Sequence, residues 1–261
     1  MGSLSNYSEN KILDHILKVA SFTAPSYVYM ALSTADPTED GSGIAEPSGF
    51  GYVRVSVPYW SAASARATQN VELITFPEAR GSWGIITHFA LYDAIITGNM
   101  LAYGALTDPI TVGNSDSISF GAGMVDIVAP AAGLSNAYAN KILDHLFMVT
   151  SLSVPGNIFV ALATAAILDS DDGDTISEPA DGYARLAHNV WDAAASGASE
   201  NTGEITFAAS SGDWDETPYF ALLDAGTSGD VILHGTLDAA ITVSSGDVAH
   251  WNAGALDITL T

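Results

Sequence analysis

The chain has 261 residues, with 30 acidic against 7 basic side chains, a formal net charge of −23, and no cysteine. That balance argues against nucleic acid, whose phosphates need Lys and Arg to displace counterions, and against an anionic membrane surface. Without thiols there are no disulfides, no thiolate nucleophile and no thiolate-ligated zinc.

From Asn6 to about Ala20, the apolar residues Ile12, Leu13, Ile16, Leu17 and Ala20 recur at helical spacing, and Asn6 with Glu9 reads as a capping box. Glu9, Lys11 and Asp14 interrupt any apolar stretch, so no signal peptide is readable, and no apolar run reaches the roughly 18 residues of a membrane helix. After the helix, Tyr27 to Leu32 is rich in strand formers and leads into a turn-rich segment from Asp36 to Gly49. Further strands are expected at Tyr52–Val57, Glu72–Phe76, Thr87–Tyr92, Met100–Leu106, Ile110–Val112 and Ser117–Phe120. Short strands at this spacing, with no second helix among them, predict an antiparallel sandwich or barrel-like fold.

A linker is expected at Val128-Ala129-Pro130-Ala131-Ala132-Gly133, and there the chain starts again. Asn10-Lys11-Ile12-Leu13-Asp14-His15 returns as Asn140-Lys141-Ile142-Leu143-Asp144-His145, with Leu-Ser-Asn ahead of each copy. Past one inserted loop residue, Gly51-Tyr52-Val53-Arg54 meets Gly182-Tyr183-Ala184-Arg185, Trp60 meets Trp191 and Trp83 meets Trp214. The fold class is therefore mainly β, as two tandem homologous repeats, 1–129 and 134–261, each opened by one short amphipathic helix. Each repeat is long enough to bury its own core. Lys11, Lys18, Arg54, Arg66 and Arg80 lie in the first repeat and only Lys141 and Arg185 in the second, so the second is expected to face solvent.

No residues form a catalytic constellation. His15 and His145 follow an aspartate, but adjacent helical residues do not face each other, so packing or capping is the expected role. His88, His188, His234 and His250 lack histidine counterparts and make no zinc-type pair. The acidic loop Asp169 to Asp174 resembles a calcium loop only superficially: Asp174 stands where an EF-hand needs glycine and Ala180 where it needs glutamate. It reads as a solvated turn, with a weak non-EF calcium site as the alternative. No phosphate-cradling glycine loop and no Gly-x-Ser-x-Gly elbow occurs. Trp60, Trp83, Trp191 and Trp214 are expected in packing; with Tyr59 they are also the residues a carbohydrate-binding module would use.

The repeated opening Leu4 to His15, the strand from Val28 to Ala35, the Gly51-Tyr52-Val53-Arg54 segment and the stretches Trp83–Ala94 and Gly98–Leu106 resemble a family of small virion structural proteins of tailed bacteriophages. The resemblance implies a non-enzymatic particle component without cofactor or metal, located in the virion and assembled in the host cytoplasm. Its first expected role is a capsid decoration or cement protein, with the major capsid protein as partner and a homotrimer as assembly; a tail or neck component is the alternative. The second repeat departs from the pattern at Ala137 and Ala139 and lacks counterparts of Lys18, Arg66 and Arg80.

Overall fold

The computed structural model describes residues 1–131 and 133–260. Ala132 of the expected linker and Thr261, at the end of the second repeat, lie outside the described residues. Two compact units form. Unit 1 comprises Met1–Glu9, Thr23–Pro130 and Asn140–Leu152; unit 2 comprises Asn10–Phe22, Ala131–Ala139 and Ser153–Thr261. Each repeat thus contributes the end of its helix to the unit otherwise built from the other repeat.

Unit 1 is built on a seven-stranded sheet. Its strands in sequence are β1 (Gly2–Leu4), β2 (Tyr29–Ser33), β3 (Val55–Ser56), β4 (Ala67–Gln69), β6 (Gly84–Tyr92), β7 (Met100–Val112) and β9 (Asp126–Val128). Their order across the sheet is β3-β2-β6-β7-β1-β9-β4, and β5 (Ile74–Thr75) pairs separately with β8 (Ser119–Phe120). Every ladder is antiparallel except β1 with β9, which runs parallel at Gly2 and Ile127. Glycine is required where β1 crosses β7: Gly2 opposes Gly104, and a Cβ on Gly104 would lie 2.8 Å from the Gly2 Cα.

Both faces of the central strands are covered. Met30, Leu32 and Leu91 are fully buried, and the small Ala31 and Ala90 make room for Tyr92, Met100 and the half-buried Ile44. This is why β2 and the end of β6 read as continuous apolar runs and not as alternation.

Unit 2 repeats the plan. Its four-stranded sheet has the order β11 (Leu186–Ala187), β10 (Phe159–Ala163), β14 (Trp214–Leu223), β15 (Val231–Val243). Two ribbons accompany it: β12 (Ala198–Glu200) with β17 (Asp257–Thr259), and β13 (Ile205–Thr206) with β16 (His250–Trp251). The Leu4–Ala102 pairing of unit 1 returns as a single bridge between Leu134 and Leu233.

The fold is mainly β with two short helices, as the sequence predicts. Several element bounds differ. The runs Met100–Leu106 and Ile110–Val112 are one strand, because Asp108-Pro109 falls in a bulge: Ile86 pairs with Ile110 but His88 with Ala105, leaving 106–109 unpaired. Proline is tolerated where no ladder bond is needed. The bulge survives as residues 237–240 in β15, where Ala240 replaces the proline. Tyr52 to Val57 yields only two paired residues, and β1, β4 and β9 carry too little apolar pattern to be read from sequence.

The helices α1 (Asn6–Ile16) and α2 (Asn136–Leu146) are shorter than expected. Ser5, not Asn6, caps α1: its Oγ accepts the Ser8 N–H at 3.3 Å, and Ser135 accepts that of Tyr138 at 3.1 Å. Both serine hydroxyls also donate into the sheet, to the carbonyls of Met100 and Val231. The helices stop at Lys18 and Met148, whose φ values of 62° and 64° place them in the left-handed region.

Candidate interaction sites

The identical hexapeptide has a structural reason. In unit 1, Asp144 Oδ1 accepts the Ala63 N–H at 2.7 Å and Asn140 Oδ1 accepts that of Arg66 at 3.0 Å. Both donors belong to a tight hairpin in which Ser64 and Ala67 exchange hydrogen bonds, with Ala65 and Arg66 at φ of 50° and 66°. Two left-handed central residues mark a type I′ turn, which is strained for anything but Gly, Asn or Asp. In unit 2, Asp14 Oδ1 accepts the Ala194 N–H at 2.8 Å and Asn10 Oδ1 that of Gly197 at 2.8 Å, over a turn with Ser196 and Gly197 at φ of 51° and 70°.

Beside each hairpin a buried tryptophan completes the seat. Trp60 packs its ring on Phe147, and its Nε1 donates to the Val57 carbonyl at 3.2 Å. Ile142, Leu143 and Leu146 are buried in unit 1, as Ile12, Leu13 and Ile16 are in unit 2. His15 and His145 hold backbone at the helix ends. Their Nδ1 atoms accept the N–H groups of Phe22 and Leu152, each at 3.0 Å, folding the chain back after the helix.

The Gly-Tyr-x-Arg segment forms a second shared arrangement. Arg54 makes a 2.6 Å ion pair with Glu46, donates to the carbonyls of Ala94 and Thr97, and lies 3.6 Å over the Tyr92 ring. Tyr52 donates to Glu46 at 2.8 Å and accepts the Leu32 N–H at 2.9 Å, and burial pushes its phenol far above the ordinary range. Arg185, Glu178 and Tyr183 repeat this in unit 2, where Arg185 also donates to Gly173 and Ser228. Arg54 joins Glu46 of one loop to the Ala94 and Thr97 carbonyls of the β6–β7 turn, and Arg185 joins Glu178 and Gly173 to the Ser228 carbonyl of the matching turn, so the node fixes loops to the sheet.

The surfaces of the repeats differ. Phe50, Val53, Leu73, Ile85, Ile95, Ile96 and Met124 are exposed in unit 1, Ile96 to 76% and Leu73 to 65%. The second repeat carries Asp181, Ala184, Glu204, Glu216, Gly226, Thr227 and Ala255 at the matching places. Val53, Ile95 and Ile96 line one recess of about 360 Å³ beside Arg54. The basic residues divide differently by unit than by repeat: Arg54, Arg66, Arg80 and Lys141 in unit 1, Lys11, Lys18 and Arg185 in unit 2.

The other candidates fall as follows. Trp60, Trp83, Trp191 and Trp214 are all at most 6% exposed, leaving no indole face for a sugar; of the aromatic set only Tyr59 is open. Trp83 and Trp214 stand edge-on to Tyr52 and Tyr183. His188 is buried against Trp191, with its Nε2 3.0 Å from the Val190 carbonyl, and burial lowers its pKa. His234 meets Asp169 at 3.0 Å, and His88 Nδ1 meets the Thr87 hydroxyl at 2.8 Å, while His250 pairs with Thr206 in β16. The acidic loop turns its carboxylates to its own donors: Asp171 accepts the Leu168 N–H, Asp172 that of Asp174, and Asp174 the Ser228 hydroxyl. Asp40 in the matching loop accepts from Ser42 and Thr38, which holds its pKa at about 2.

Glu9 is the titratable group the sequence reading misplaced. It is 3% exposed, its Oε2 has no hydrogen-bond partner, and burial, then Glu39, raise its pKa to about 7. The signal was available: its counterpart is Ala139, directly ahead of the identical hexapeptide.

These features define a duplicated β-rich structural module whose repeated residues serve packing and docking. The family model of the podophage GP4 fiber I protein gp80 matches it twice, over residues 3–128 and 133–259, so the chain belongs to that phage virion structural family. No curated protein matches the chain.

Proposed function

We propose that this chain is a non-enzymatic structural component of a phage virion, of the fibre type, anchored through the first repeat. The family match over both repeats carries this reading. The residues shared by the repeats have structural uses: the hexapeptide holds hairpins, the arginine node holds loops, and the tryptophans fill cores. Among the described residues no group of three or more His, Asp or Glu could hold a metal ion. Anchoring by the first repeat is supported by its exposed Phe50, Leu73, Ile85 and Ile96, which the second repeat replaces with Asp181, Glu204, Glu216 and Thr227. Large exposed apolar side chains are more numerous on the first repeat than on the second, which exposes Leu168, Val190 and Val248; such side chains suit a contact surface, and the acidic replacements Asp181, Glu204 and Glu216 favour solvent.

The same asymmetry favours a second reading, a head-decoration protein with the major capsid protein as partner and a homotrimer as assembly. Quantitative mass spectrometry of purified virions separates them. A few copies per particle, located at the tail or neck by labelled cryo-electron microscopy, support the fibre reading. A ratio to the major capsid protein between one third and one supports decoration, and absence from the virion overturns both.

A further inference from the structure

The repeated hexapeptide contacts a hairpin of the other repeat. Unit 1 seats Asn140–Leu152 on the hairpin Ser61–Ala67, and unit 2 seats Asn10–Phe22 on the matching hairpin Asp192–Ala198. The contacts correspond atom for atom: Asp144 to Ala63 and Asp14 to Ala194, Asn140 to Arg66 and Asn10 to Gly197. A contact that is the same in both directions is what two copies make when they exchange an element. We propose that the hairpin with its tryptophan is a docking site for the Asn-x-x-x-Asp helix of a second copy of the repeat. In this chain, duplication fills both sites, so the polypeptide is a covalently joined form of a helix-exchanged pair.

Three observations carry this further than the shared ancestry of the repeats. First, the part of the helix that carries the polar anchors is identical in both repeats, Asn10, Ile12, Leu13 and Asp14 matching Asn140, Ile142, Leu143 and Asp144, with only apolar exchanges after it (Ile16 for Leu146, Leu17 for Phe147), while positions before it diverge, as at Ser8 and Tyr138 or Glu9 and Ala139. Second, the N–H groups that donate to Asn140 and Asn10 belong to the left-handed residues Arg66 and Gly197; Arg66 holds φ of 66° with a Cβ, and the hydrogen bond to Asn140 helps keep it there. Third, the docking helix residues are buried: Leu13, Ile16, Leu143 and Leu146 are 0% exposed. An amphipathic helix laid on an apolar seat and fixed by two polar anchors is a recognised mode of association between chains.

The test uses the full chain. A protease recognition sequence is inserted after Ala131, the folded protein is cut there, and the product is run by size exclusion with light scattering in native buffer. The cut chain is expected to stay at the mass of the intact 27.0 kDa protein and to part only in denaturant. Separation into two species of about half that mass in native buffer would overturn the proposal. In the cut protein, Asp14→Ala with Asp144→Ala should raise the concentration at which the pieces part by roughly 100-fold, at about tenfold for each charge-assisted bond. Asp14→Asn with Asp144→Asn keeps an acceptor at each place and should restore most of the association. Unchanged dissociation in the alanine pair would sink the role given to these aspartates.

Discussion

Trp60 and Phe147, one from each repeat, stack with ring centroids 4.4 Å apart and planes inclined by 39° inside unit 1. Both are buried, and at the place of Phe147 the first repeat has Leu17. Phe147→Ala should therefore destabilise unit 1 by about 3–5 kcal/mol, while Phe147→Leu should stay under about 1.5 kcal/mol. Urea unfolding followed by tryptophan fluorescence measures both; equal losses would show that the seat does not distinguish a cavity from a smaller filler.

The arginine node predicts a sharper asymmetry. Arg54→Ala leaves Glu46 without its ion pair and frees the carbonyls of Ala94 and Thr97, a loss of about 3–5 kcal/mol. Arg54→Lys should recover little, because an ammonium cannot reach a carboxylate and two carbonyls in one plane. Calorimetric midpoints of the two variants that differ widely would contradict this account.

Glu9 makes stability depend on pH. Its folded pKa of about 7 lies above the ordinary value of 4.5, so between those limits the folded chain holds a proton that the unfolded chain has lost. Stability gained by keeping the neutral acid is complete below about pH 4.5 and is lost as pH rises to about 7. Glu9→Gln removes that dependence. The variant should match the parent at pH 4 and exceed it at pH 8 by up to about 3 kcal/mol, the worth of a shift of this size. Thermal unfolding at the two pH values decides; an equal gain at both would point to packing and not to charge.

On the surface, Phe50→Asp, Leu73→Glu and Ile96→Thr give the first repeat the second repeat's residues. Unfolding free energies should move by no more than about 0.5 kcal/mol per substitution. Incorporation of the triple variant into virions should fall at least tenfold, measured against the parent in mixed infection. Undiminished incorporation would place the contact elsewhere.

Much of this molecule was legible in its sequence, and the reasons for the rest are physical. The duplication, the helix in each copy and the β class rest on periodicity and identity, which survive without coordinates. The fate of the helix end did not show, because a seat in the other repeat and a seat in its own demand the same residues. Likewise the role of Arg54 shows only when Glu46 of one loop and Ala94 and Thr97 of another are brought around it. Strand β1 escaped notice because Gly2 meets Gly104 of β7 through backbone alone and a glycine carries no side-chain pattern, and β9 because its three residues are too few to show an alternation. The exposed apolar positions needed both sources: the sequence shows that Ile96 faces Thr227 in alignment, and only the fold shows that Ile96 is outside.

The division of each helix between units has a consequence for synthesis. A ribosome releases the first repeat before Asn140–Leu152 exists, so the Trp60 hairpin waits uncovered while roughly 5–20 residues are added per second. The N-terminal segment Asn10–Phe22 waits longer still, until the hairpin at Ala195 and its β17 partner strand have emerged near the end of the chain. Unit 1 can close once Leu152 has emerged, whereas unit 2 must await β17, so the two units are completed in succession and the first carries an unseated Asn10–Phe22 until the second is made.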